Sequence, residues 1–106
     1  MLWLYFDAFL PSEVCVDNRS SKPISRIVVS TAGQRFWIER VGAGEQAVEK
    51  FRPLEDSSLR MEYLHGDDRF VRVCVGDVYV TNAKRSKLAV VVGEDGICEV
   101  IDRTFE

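Results

Sequence analysis

The chain is poor in the residues that most site chemistry needs. Histidine occurs once, at His65, so no pair of imidazoles can share a proton relay or a zinc ion. The cysteines are Cys15, Cys74 and Cys98, an odd set that leaves at least one thiol unpaired within the chain. No two of them stand at the short spacing of a zinc knuckle or a redox pair, so no metal or other cofactor is expected. Basic residues are outnumbered, 14 against 17, for a net charge of -3. A nucleic-acid surface needs clustered Lys and Arg to displace counterions. The short cluster of Lys84, Arg85 and Lys87 falls in an expected turn, where solvation explains it, and nucleic acid is not an expected partner.

Long hydrophobic runs are also missing. The most apolar stretch is Met1 to Leu10, with Asp7 as its one charge. It has neither the basic leader nor the small-residue cleavage site of a secretory signal. A spanning helix takes about 20 apolar residues, and this stretch supplies about half of that. Three readings stay open for residues 1–11: a first strand over Leu2 to Phe6, a short helix laid on the domain, or the end of a longer membrane anchor. The last gives membrane attachment through residues 2–10 and an envelope location; without it the chain is expected in the cytoplasm.

What the sequence does contain is strand pattern. Its 106 residues suit one hydrophobic core, and a domain of that size buries roughly 65% of its unfolded surface. After Pro11, β-rich runs alternate with turn chemistry about every 8–12 residues, the rhythm of an all-β sandwich. The expected strands are Glu13 to Asp17, Ile24 to Thr31, Gln34 to Val41 and Gln46 to Arg52, then Leu59 to Tyr63. Phe70 to Val75 follows, running on past a bulge or turn at Gly76-Asp77 into Val78 to Thr81. Leu88 to Val92, apolar on both faces, reads as central, and Ile97 to Ile101 closes the sheet before a fraying tail. His65-Gly66-Asp67-Asp68 and Glu94-Asp95-Gly96 read as hairpin tips, the first carrying an exposed histidine. The fold class is therefore all-β: an antiparallel, two-sheet, immunoglobulin-like sandwich of about 7–9 strands over residues 12–106.

Reactive constellations are scarce within such a domain. Cys15, Trp37 and Cys74 stand in the Cys…Trp…Cys order of antibody domains, and a Cys15–Cys74 disulfide would fit it. Arg72, however, occupies the position where such domains carry tyrosine. The cysteines otherwise read as small buried hydrophobes. A Cys–His pair from Cys74 or Cys98 with His65 is the one enzymatic alternative, and nothing flanking either cysteine lowers a thiol pKa. Glu55-Asp56, Asp67-Asp68 and Glu94-Asp95 lie in turns, where carboxylates favour water and local backbone bonds. Gly42-Ala43-Gly44-Glu45 lacks the lysine and helix of a phosphate loop. No catalytic residue is assigned.

Among the aromatic residues, Phe36, Phe51, Tyr63 and Phe70 fall at core positions. Trp37 faces the other way, between Arg35 and Glu39, and Tyr79 has a similar setting. Half-exposed Trp flanked by charge concentrates interface energy, so Trp37, Arg35, Glu39 and Tyr79 are the candidate partner-binding residues.

The run from Val14 to Ile24 pairs a strand, an Asn18-Arg19-Ser20 turn and a second strand beginning with an aliphatic residue. With Val41-Gly42-Ala43-Gly44-Glu45, Phe51-Arg52-Pro53, Asp56-Ser57-Ser58-Leu59 and Gly76-Asp77-Val78-Tyr79-Val80-Thr81, it resembles a loose class of small bacterial β-sandwich proteins of uncharacterised function. The resemblance covers most of the chain after residue 11. It implies a bacterial source and, in many members, a membrane segment ahead of the sandwich. It implies no catalytic residue. The functional expectation is a non-catalytic protein-binding module, for instance an immunity or inhibitor protein that blocks a toxin or other effector. The alternative is a structural or assembly domain tethered at the cell envelope.

Overall fold

The computed structural model describes residues 11–54, 57–80 and 85–104, apart from the side chains of Asp77, Val78 and Tyr79. The three readings of residues 1–10 fall outside it, as do the Glu55-Asp56 pair and residues 81–84 of the basic-cluster loop. Eight strands form: β1 (Ser12–Asn18), β2 (Ile24–Thr31), β3 (Gln34–Val41), β4 (Gln46–Phe51), β5 (Ser57–His65), β6 (Arg72–Val80), β7 (Lys87–Val92) and β8 (Cys98–Asp102). They make a sandwich of two four-stranded sheets, ordered β4-β1-β7-β8 (sheet A) and β3-β2-β5-β6 (sheet B).

Period-two patterning sets which side chains meet between the sheets. Leu59, Met61 and Tyr63 of β5 are buried while Arg60 points out and pairs with Glu62. Val14 and Val16 of β1 meet Leu88, Val90 and Val92 of β7 in the same core. β7 lies between β1 and β8, which explains its apolar character on both faces. The β1–β7 pair is parallel, the one departure from the expected antiparallel order; the other pairs are antiparallel.

Two hairpin details show how local chemistry fixes register. Ala32 and Gly33 take φ of 53° and 78° between β2 and β3, the conformation of a two-residue turn that twists with its strands. Alanine pays for that φ by burying its methyl group and donating its N–H to Ser57 Oγ at 2.5 Å. In β2, Arg26 at φ 48° is the extra residue of a bulge against β5. An irregularity around Gly76 appears as expected, since the β5–β6 register shifts between Ser58 and Arg60.

Several expectations need correction. Cys74 is bonded to Cys98, not Cys15, because β6 and β8 meet along one side of the sandwich. Cys15 stays a free, half-buried thiol on β1. Phe70 is 84% exposed, since it precedes β6 rather than lying in its core-facing set. Val73 and Val75 face solvent, while Cys74 takes the inward position between them. His65 is buried as the last residue of β5, opposite Ile24, and is not a hairpin tip. The tail does not fray at Asp102: the Arg103 N–H donates to Lys87 O and the Lys87 N–H to Thr104 Oγ1.

Candidate functional site

The outer face of sheet B carries the surface features worth reading. Register places Trp37, Val28, Glu62 and Val73 in one row across its strands, and Arg35, Ser30, Arg60 and Val75 in the next. Trp37 is 69% exposed, an unusual state for the largest apolar side chain. Beside it opens a shallow cleft of about 630 Å³ bordered by Ser30, Gln34, Arg35, Trp37, Ser58 and Arg60. Thr31 also borders this cleft, and its buried Oγ1 has no hydrogen-bond partner among the described residues.

The sequence reading thus brought together Arg35, Trp37 and Glu39 on one exposed strand face. Arg35 and Glu39 make no ion pair among the described residues. Tyr79 lies at the far edge, in β6, and its side chain is outside the description. The arrangement offers an aromatic plate, one unpaired charge of each sign and several hydroxyl groups. It can hold a partner by contact and hydrogen bonding.

A second cluster closes one end of the sandwich, and the sequence reading missed it. Asn18, fully buried, donates through Nδ2 to the carbonyls of Lys22 (2.8 Å), Val41 (3.1 Å) and Gly42 (3.2 Å). Its Oδ1 accepts from the Ser20 N–H at 3.1 Å and lies 2.7 Å from Ser20 Oγ, which is 2.8 Å from Lys22 O. The single hydroxyl proton goes to one of these acceptors, so His65 Nε2, 3.1 Å from Ser20 Oγ, is the donor in that contact. His65 Nδ1, on the other side of the ring, lies against Gly96, whose φ is 81°. Ser20 beside His65 has the look of a nucleophile and its base. Ser20 is nevertheless buried and its proton is committed, so the contact pins the β1–β2, β3–β4 and β5–β6 loops together. An Asn two residues before a Ser, in a turn, is the signal that could have found it.

The thiols fit a structural part. Cys74 and Cys98 are joined, so neither presents a thiolate to His65 while the bond stands. At Cys15, burial and then the Asp17 carboxylate push the thiol pKa up, which keeps it protonated near neutral pH. Among the described residues, no three His, Cys, Asp or Glu side chains come together as a metal site.

No known protein family matches the chain, and no curated protein matches it either. Among solved structures, the NMR structure of a protein from Eubacterium rectale is similar in fold. It superposes with a TM-score of 0.64 over 94% of this chain and 95% of that one, at 10% sequence identity. At that identity the likeness speaks for the sandwich alone.

Proposed function

We propose that this domain is a non-catalytic protein-binding module acting through the outer face of sheet B. The observation that carries the reading is Trp37, 69% exposed between Arg35 and Glu39, neither of which has an ion-pair partner among the described residues. Trp and Arg are enriched among the residues that carry interface energy, Trp because it buries a large area at small entropic loss and Arg through its fork of hydrogen-bond donors. An exposed indole on a rigid strand adds to that by being held in place beforehand. One concrete form is a bacterial immunity or inhibitor protein that occupies a toxin or effector. Co-expression with the product of the adjacent gene tests it. The expected result is a salt-sensitive complex that Trp37→Ala weakens about tenfold or more. A neighbour product that never co-purifies, or a complex indifferent to Trp37→Ala, removes the reading.

A structural or assembly role at the cell envelope is the second reading. Its support is the Cys74–Cys98 disulfide, because such bonds persist in oxidising compartments. Fractionation of the native protein tests it: recovery of reduced protein with the cytoplasm overturns it.

A further inference from the structure

β3 is an edge strand: among the described residues its backbone pairs within sheet B only with β2, which leaves its other side open to pairing. Open edges invite pairing, and natural edges are usually blunted by proline, a bulge or charged side chains. β3 has neither proline nor bulge over its eight residues, Gln34–Val41. Its charges, Arg35, Glu39 and Arg40, alternate in sign, so a second strand can meet them with opposite charge. Reading Arg35-Phe36-Trp37-Ile38-Glu39 backwards gives a mirror pattern, with opposite charges changing places, two half-buried apolar residues changing places, and Trp37 at the centre.

We infer that β3 pairs with β3 of a second copy of this chain, antiparallel about a two-fold axis at Trp37. In that register Arg35 lies opposite the second copy's Glu39, Phe36 opposite its Ile38, and Trp37 opposite its Trp37. Residues directly opposite in an antiparallel pair point to the same face with Cβ atoms about 4.5–5.5 Å apart. Outside, two Arg–Glu pairs flank two adjacent indoles; inside, Phe36 and Ile38 extend the core, which they now only partly enter. Within one chain Arg35 and Glu39 cannot meet, since four strand residues separate them by about 13 Å. Both lack an ion-pair partner among the described residues, and the second copy supplies one to each. The contact is isologous and closed, so it gives a dimer and no fibre.

The other strand edges do not read this way. β6 and β8 lie against each other under the disulfide, and the outward set on β4, Gln46, Val48 and Lys50, has one charge and no opposite charge to exchange with it. The inference shares with the proposed function only the premise that the Trp37 face is an interaction surface. Pairing would place two Trp37 faces side by side on one continuous outer face, which a larger partner can still reach.

Sedimentation velocity on the full chain over a range of micromolar concentrations tests it. The wild type is expected to dimerise. Arg35→Glu and Glu39→Arg should each raise the dimer Kd about tenfold or more by setting like charges opposite at both ends. The double variant R35E/E39R restores opposite charges and should return the Kd to near the wild-type value, a rescue that damage to folding would not produce. Circular dichroism of each variant monitors the fold. A wild type that stays monomeric throughout overturns the pairing and leaves the co-expression result untouched. A dimer that ignores both single reversals, or one not rescued by the double variant, overturns this register.

Discussion

The two long sides of the sandwich are sealed by different means. Where β6 meets β8, the sheets are stapled by Cys74–Cys98, and Tyr63 donates its hydroxyl proton to Gly96 O at 2.5 Å just beyond. Gly76 passes so close to Val100 that a Cβ there would stand 2.7 Å from the valine Cβ. Where β3 nears β4, no disulfide crosses among the described residues. The sheets are joined by the Val41–Gln46 turn, by hydrogen bonds from Gln34 Nε2 to Arg52 O and from the Leu54 N–H to Ala32 O at 2.9 Å, and by Phe36 leaning on Phe51, their rings 5.4 Å apart and tilted by 47°. One side is locked through covalent and close backbone contact. The other is left with an open strand edge and the exposed Trp37. Rigid scaffolding on one side and an available edge on the other is the division a binding module needs.

The comparison breaks most visibly on reduction. The disulfide closes a loop of 24 residues in sequence separation, for which chain entropy gives about 3–4 kcal/mol of stabilisation. Thermal melts with and without reductant should differ by roughly 12–32 °C in Tm for a domain of this size. Thiol titration of the oxidised, unfolded protein should give one thiol, Cys15, and three after reduction. In the folded state Cys15 should react slowly with iodoacetamide, its thiol being held protonated by burial and Asp17. A Tm unmoved by reductant would show that the β6–β8 side holds without its staple.

Gly76→Ala gives a sharper cut with the disulfide intact. The new methyl meets Val100 Cβ, Cγ1 and Cγ2 within 2.8 Å, so β6 or β8 must shift. Overpacking of this kind costs about 1–3 kcal/mol. Val100→Ala in the same chain removes the obstacle and should recover part of the loss, a coupling readable from a double-mutant cycle in urea. Additive effects would mean that the two strands do not press on each other there.

Most of the sandwich was legible in the sequence. β2 and β3 have the expected bounds, and β5 shows its alternation, because one-face burial imposes a period of two whatever lies across the sheet. What was not legible depends on which strands become neighbours. The choice of Cys98 over Cys15 as partner to Cys74 follows from the edges β6 and β8 lying together, a matter of strand order. His65 looked exposed because it precedes Gly66-Asp67-Asp68, yet it is paired with Ile24 and turned inward onto Ser20. Phe70 looked buried because it shares the hydrophobicity of the valines after it, and those valines also face solvent. On the candidate site the parity of β3 was enough to set Arg35, Trp37 and Glu39 on one face. That β3 is an edge was a property of the whole sheet, and local pattern does not carry it.

The smallest effect on stability is expected at the most conspicuous residue. Trp37 keeps 69% of its surface in water, so Trp37→Ala forfeits little burial in the isolated domain. It stands opposite Val28 in the register of the outer face and takes no part in the Phe36–Phe51 contact beneath. Urea unfolding followed by far-UV circular dichroism, at a concentration low enough to exclude association, should change by less than about 0.5 kcal/mol. The two other substitutions on the same strand, Arg35→Glu and Glu39→Arg, should behave alike because neither side chain has an ion-pair partner among the described residues to lose. A loss above about 1 kcal/mol at Trp37 would mean that the indole supports the open side, as the disulfide supports the closed one. A neutral result leaves burial against a partner as what an exposed indole contributes, and it separates what β3 does for the fold from what it does at an interface.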